Sequence, residues 1–415
     1  MAFVFLILIG IGAVANLSTL LRPFKVGGPG FGFGIKIWGP FSRFQNCDSP
    51  LFMEYLRNPS MLVSPGSFWQ ERPLYIILGK VISVITFQDN EFPFILLNIL
   101  LLIVSGILIL KTLEIVISNH AFLSKKEFLR VTAVDKLLYA CFPFVIVMLN
   151  LPTRGYLWTA HFQMFNILIP VLCLYTFAYV LSHKKMNAST LVLTVITGAL
   201  LLTYPGSNIY LFTAFVCFLH LKKFGSAILF SIGSYLPTLF WYQYIVERNG
   251  FFFSQSTSQW KQFVWISDAL RTGNLATAVP EKLESFYQSF NDSYIKTSLS
   301  LLVISFSLML IMHFKNMKIY IHSTDFGVGR YLAALYLLAL YAVGTYVARL
   351  NWPVVIVVVI LVWSFMVKLD LEDRKNYKRL NKSRSALKNF STKIVFLCPG
   401  IIWISYFVIS EGPWS

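Results

Sequence analysis

Acidic residues are scarce in this chain, 18 against 35 lysines and arginines in 415 residues, so their positions carry information. Two of them, Asp48 and Glu54, fall in RFQNCDSPLFMEYLRN, residues 43–58. A carboxylate in that setting has two uses. Asp48, followed by Ser, Pro and an apolar run, is a good helix N-cap. It could equally take a proton from an attacking hydroxyl or hold a cation. Phe44, Phe52 and Tyr55 would partly desolvate such a group and poise it as a base. Glu54 and Arg57 are three apart and read as a surface ion pair as readily as a pocket wall.

Further along, FWQERPLYIILGKVISVITF places Glu71, Arg72 and Tyr75 together, and TRGYLWTAHFQ offers Arg154, His161 and Gln163. His161 can position a phosphate or an acceptor, although a lone histidine at a helix start is more often structural. In TYVARLNWPVVIVVVI, Arg349 lies four residues before Pro353. A guanidinium fork suits a phosphodiester or pyrophosphate, and the alternative reading is an arginine snorkelling to the membrane surface.

The elements that hold these groups are dictated by composition. Hydrophobic residues make up 56% of the chain and charged ones 13%, about half the share in soluble domains. Runs long enough to cross a bilayer recur, so the fold class is all-α, a polytopic membrane protein of about eleven spans. The expected spans are 2–21, 92–113, 136–152, 161–182, 189–204, 209–221, 227–246, 297–315, 330–348, 354–368 and 394–410. Basic residues cluster in short connectors, at Lys125, Lys126 and Arg130, at Lys184 and Lys185, at Lys222 and Lys223, and densest in 374–393. This is the positive-inside pattern, which puts the amino terminus in the cytoplasm and the carboxyl terminus outside. The net charge of +17 therefore implies orientation in a membrane and no nucleic-acid partner.

Residues 72–87 read as an amphipathic helix at the interface, because a twelfth span there would strand Lys80 at a cost of about 2.5–3.5 kcal/mol. A single transmembrane domain over 1–415 then carries two large external loops, 22–91 and 247–296, and a basic cytoplasmic loop, 369–393. In the second, Trp260, Phe263, Val264, Ser267 and Leu270 recur at helical spacing and predict a helix lying flat on the membrane. The first span, without a basic leader or a cleavage site, is expected to be retained. Cys47, Cys141, Cys173, Cys217 and Cys398 form no CxxC pair and are expected to be unpaired core residues. GGPGFGFG, 27–34, has no strand before it and no helix of Rossmann type after it, and reads as a flexible or tightly turning loop, not a dinucleotide site. Trp158, Trp241, Trp260, Trp265 and Trp352 fit an aromatic belt, and Asn291-Asp292-Ser293 is a glycosylation sequon.

The order of features in the first 115 residues is a span, a loop with an early Asp in a short helix, and then RPLYIILGKVISVITF before the second span. It resembles the GT-C superfamily of membrane glycosyltransferases. The resemblance places Asp48 at the family's catalytic carboxylate and Arg72-Pro73-Leu74-Tyr75 at its Pro-Pro-Leu-Tyr-type stretch. It makes Arg349 the basic residue that meets the lipid phosphate. It implies a polyprenyl-phosphate-sugar donor, a glycan, lipid or protein acceptor of the cell envelope, and a bacterial inner-membrane location. Glu54, Glu71, Arg72, Tyr75, Arg154 and His161 would line the substrate site. The departures are that Asp48 is followed by Ser49 instead of a second acid, and that 153–163 has no acid. They weaken any metal dependence, and leave a divalent cation on Asp48 as the sole cofactor in view. Two rivals remain. A polysaccharide polymerase or ligase using lipid-linked oligosaccharide would rely on Arg154, His161, Arg248, Arg271 and Arg349. A flippase or transporter would be expected to carry mid-membrane charge, which these spans almost lack.

Overall fold

A computed structural model describes residues 2–21, 34–38, 41–45, 49–67, 69–118, 132–150, 153, 156–182, 188–203, 208–252, 264–289, 291, 293–313, 351–377 and 383–409. In lipid, backbone N–H and C=O groups must be satisfied within the protein, and a chain this apolar does so by coiling. Fourteen α-helices form among these residues. They are α1 (Ala2–Leu21), α2 (Ser49–Arg57), α3 (Pro73–Thr86), α4 (Phe92–Ser118), α5 (Ala133–Met148), α6 (Phe165–Ser182) and α7 (Ala188–Ala199). Then come α8 (Asn208–His220), α9 (Phe224–Asn249), α10 (Val264–Thr272), α11 (Leu275–Ser289), α12 (Ser293–His313), α13 (Asn351–Tyr377) and α14 (Ser383–Ile409). The one sheet among the described residues is an antiparallel hairpin in the first loop, β1 (Gly34–Trp38) paired with β2 (Phe41–Gln45).

Among the described residues, five stretches are long and apolar enough to cross a membrane: Phe92–Ile115, Phe162–Val180, Phe224–Asn249, Ser293–His313 and Phe390–Ile409. Leu6–Leu17, Pro73–Thr86, Ala188–Leu202 and Leu211–His220 are apolar but shorter. The span expected at 330–348 lies outside the described residues. The span expected at 354–368 lies inside a longer helix, because α13 runs on to Tyr377. That extension takes helix into the first part of the expected loop 369–393, and α14 begins before the loop's end.

The helices are not equally buried. In the Phe162–Val180 window 83% of residues are buried, against 22% in Phe224–Asn249 and 28% in Ser293–His313. The centre is therefore α6, packed among α4, α7 and α13, while α9 and α12 sit at the rim. Long polar bonds lock the centre. Trp363 Nε1 on α13 donates to the Tyr139 carbonyl of α5 (2.7 Å), and the Tyr139 hydroxyl donates to the Asp370 carboxylate. Trp403 Nε1 on α14 donates to the Leu149 carbonyl (2.7 Å), and Asn16 Nδ2 on α1 to the Met148 carbonyl (3.1 Å). At the rim, α7 and α9 approach so closely that a Cβ on Gly198 would stand 1.9 Å from the Ser234 carbonyl oxygen. Small residues at a crossing let two membrane helices meet along their backbones.

α5 starts on a capping box, with Thr132 Oγ1 accepting from the Asp135 amide (3.1 Å) and the Asp135 carboxylate accepting from the Thr132 amide (3.3 Å). α3 has 14 residues, so it is about 21 Å long, short of a hydrocarbon core of about 30 Å. It stops at Phe87, whose φ of 55° is left-handed, and Asn90 Oδ1 then accepts from the Phe92 amide (2.9 Å) to start α4. α3 folds back along the first turns of α4 through Gly79, where a Cβ would lie 2.3 Å from the Phe94 ring. Its other face leaves Ile77, Val81, Val84 and Ile85 exposed, as a helix lying against lipid requires.

Candidate functional site

α2 is amphipathic: Phe52, Met53, Tyr55 and Leu56 turn inward, while Glu54 and Arg57 stay on the exposed face. Phe52 is the hub of an aromatic cluster. Its ring centroid lies 4.8 Å from Trp69, 5.2 Å from Tyr75, 5.9 Å from His161, 6.1 Å from Phe94 and 6.2 Å from Phe162. The start of α2 is fixed from below, because the fully buried Ser49 Oγ donates to the Ala160 carbonyl (3.3 Å), next to His161.

The turn before α3 brings Arg72 to the same rings. Glu71 is buried, and the half-buried Arg72 holds its guanidinium carbon 5.6 Å from both the Trp69 and Phe162 centroids. A cation against two aromatic faces is stabilised by their quadrupoles and loses rotamer freedom. α9 pins this turn from the side: Trp241 Nε1 donates to the Gln70 carbonyl (2.7 Å) and Asn249 Nδ2 to the Val63 carbonyl (2.9 Å).

Tyr75 is stacked on Phe94 at 4.8 Å, and its hydroxyl donates to Asn98 Oδ1 at 3.5 Å. Burial pushes its phenol well above the usual tyrosine range, opposed by hydrogen bonds with the His161 backbone and Asn98. Tyr75 is therefore a neutral donor at any physiological pH. Asn98, fully buried in α4, uses its Nδ2 on three carbonyls of the α5–α6 connector: Thr159 at 2.8 Å, Tyr156 at 3.0 Å and Leu157 at 3.4 Å. That connector ends in His161, whose Nδ1 accepts from the Gln163 amide (3.2 Å) and so caps the short turn Phe162–Met164. A neutral imidazole that accepts at Nδ1 carries its proton on Nε2, so the far nitrogen is a donor. The ring is held between Tyr156 and Phe162, at 4.7 and 4.6 Å.

Of the residues singled out from the sequence, Arg72, Tyr75 and His161 thus surround one set of rings, Glu71 is buried next to Arg72 in the chain, and Glu54 is exposed. Asp48, Arg154 and Arg349 lie outside the described residues, as does Cys47. Cys141, Cys173 and Cys217 are buried free thiols and Cys398 an exposed one. Sequence reasoning missed Asn98 and Ser49, the two side chains that tie the loops together. The lone amide in FILLNILLL was the available signal for Asn98. Among the described residues no three His, Cys, Asp or Glu side chains group as a metal site.

The cluster is built from donors: a guanidinium, a phenol and an imidazole Nε2–H, beside one buried carboxylate. Such a set has the chemistry to hold an oxyanion or sugar hydroxyls. Comparison with protein-family models, with curated proteins and with solved structures finds no match for this chain.

Proposed function

We propose that the chain is an inverting membrane glycosyltransferase of GT-C type, with about eleven spans, its amino terminus in the cytoplasm and its site on the external face of a bacterial inner membrane. The donor is a polyprenyl-phosphate sugar and the acceptor a hydroxyl of an envelope glycan, lipid or protein. The observation that carries the reading is the convergence of Tyr75 and His161 on Phe52 and of Arg72 on the adjoining Trp69 and Phe162 rings, with Ser49, the neighbour of Asp48, bonded to the residue before His161. Two segments far apart in sequence meet at the residues that the resemblance singles out.

In the reaction the acceptor oxygen attacks the anomeric carbon while the bond from that carbon to the phosphate oxygen breaks. The phosphate leaves with the electron pair, and the hydroxyl proton passes to the Asp48 carboxylate. Arg349, Arg72 and the His161 Nε2–H are the donors for the charge that develops on the leaving phosphate. Glu71 and Tyr75 hold sugar hydroxyls. No nucleotide fold is needed, because the lipid carrier supplies the leaving group.

The test is complementation with Asp48→Asn, Arg349→Ala and His161→Ala at matched membrane abundance, with the lipid-linked sugar pool measured. Loss of function in Asp48→Asn with accumulation of an undischarged monosaccharide carrier is expected. Full activity in Asp48→Asn, with loss in the arginine and histidine variants, would overturn it in favour of a polymerase or ligase.

A further inference from the structure

The segment between α9 and α12 carries a second amphipathic helix that the sequence pattern does not announce. α11 places Leu275, Val279, Leu283 and Tyr287 at every fourth position, which is one stripe of an α-helix. All four are exposed, Leu283 by 57% and Tyr287 by 70%. Thr277, Glu281, Glu284 and Gln288 occupy the opposite side. α11 packs on α10, joined by Lys282 over the Trp265 ring (5.6 Å) and a turn at Gly273, φ 72°. α10 adds Val264 and Leu270 to the exposed apolar surface, and its one buried residue is Ala269.

What covers this surface follows from the attachments. α9 and α12 are both long and apolar enough to span the membrane, and α10–α11 connects them, so both tethers lie at one membrane face. Ser289 ends α11 and Ser293 begins α12, and four residues reach at most about 14 Å. The end of α11 is therefore held at the bilayer surface, close to the headgroup boundary. The pair carries three acids (Asp268, Glu281, Glu284) against two bases (Arg271, Lys282), so it has no cationic attraction to anionic lipid. We infer that the α10–α11 hairpin lies on the membrane with the Leu275–Val279–Leu283–Tyr287 stripe inserted among the lipids of that leaflet, driven by apolar burial alone. This inference is independent of the glycosyl-transfer reading.

The experiment uses the full chain, with native cysteines replaced, in phosphatidylcholine nanodiscs. Single nitroxides are attached at Val279→Cys, Leu283→Cys, Glu281→Cys and Glu284→Cys, all exposed positions that tolerate a label. Relaxation by oxygen, which partitions into lipid, is compared with relaxation by a water-soluble nickel chelate. Oxygen is expected to dominate at 279 and 283 and the chelate at 281 and 284, unchanged when phosphatidylglycerol is added. Chelate access at all four sites would overturn the inference, as would a need for anionic lipid. So would shielding of 279 and 283 from both reagents, which would mean that protein, such as a second copy, covers the stripe.

Discussion

Asn98→Leu is the sharpest test of how the site is held. Leucine keeps the branched outline of the asparagine and removes its amide, so the polar loss dominates. Two of the three bonds from Nδ2 are well formed, at 2.8 and 3.0 Å, and the third is long at 3.4 Å. Each good bond contributes about 1 kcal/mol net in proteins, and about 0.6 in membrane interiors. The Tyr156 carbonyl keeps the Thr159 amide and hydroxyl as donors and the Thr159 carbonyl keeps the His161 amide, so neither is stranded. The loss is that of the two good bonds, about 1–2 kcal/mol. Tyr75→Phe breaks the 3.5 Å contact to Asn98 Oδ1 and the hydrogen bond with the His161 backbone, both weak, and should cost less than about 1 kcal/mol. Unfolding of the purified protein in mixed micelles, followed by tryptophan fluorescence, measures both. Asn98→Leu should also free the connector, so that proteolysis within 156–161 speeds up. An Asn98→Leu variant within about 0.5 kcal/mol of the parent, or one no worse than Tyr75→Phe, would refute the claim that Asn98 anchors the connector.

Glycine substitutions at the two tight crossings should rank by what the new methyl meets. Gly198→Ala drives a Cβ into the Ser234 backbone, which cannot yield, and should cost more than about 3 kcal/mol and lower folded yield in membranes. Gly79→Ala meets the Phe94 ring instead, so the double variant Gly79→Ala, Phe94→Leu should recover part of the loss. Equal damage from the two single variants, or no rescue, would contradict this. The Tyr75 phenol is raised in the folded state, so the stability it gives is complete below the unfolded value near 10 and declines as pH climbs above it toward the folded value. Alkaline unfolding should therefore begin above about pH 10, with one phenol ionising only as the protein opens, and Tyr75→Phe should flatten that limb.

The helices were legible because lipid allows few alternatives: an apolar run such as 92–113 can satisfy its backbone only by coiling. The boundaries were less so. The expected span 161–182 meets helix from Phe162, because His161 spends its ring on capping the first turn. α13 runs past the expected end at 368 because Asp370 finds Tyr139 on α5, a partner 231 residues away that no local pattern shows. α11 escaped notice because Pro280 and the acidic positions break its pattern into short apolar pieces. At the candidate site the residue types of Arg72, Tyr75 and His161 could be picked out by their polarity. That the Phe52 cluster gathers them, and that Asn98 braces the connector beneath, depends on tertiary contacts across 58 to 61 residues.

The bonds that α5 receives have an implication for biogenesis. Its Tyr139 and Leu149 carbonyls are capped by Trp363 and Trp403, made 224 and 254 residues later. During synthesis α5 is made long before either indole leaves the ribosome. For that interval its carbonyls and the Tyr139 hydroxyl must find other partners, water among them. A nascent chain stalled before α14 would keep the Leu149 carbonyl without its indole. α14 thus completes the bonding of a helix made long before it, and its loss should leave α5 the less protected.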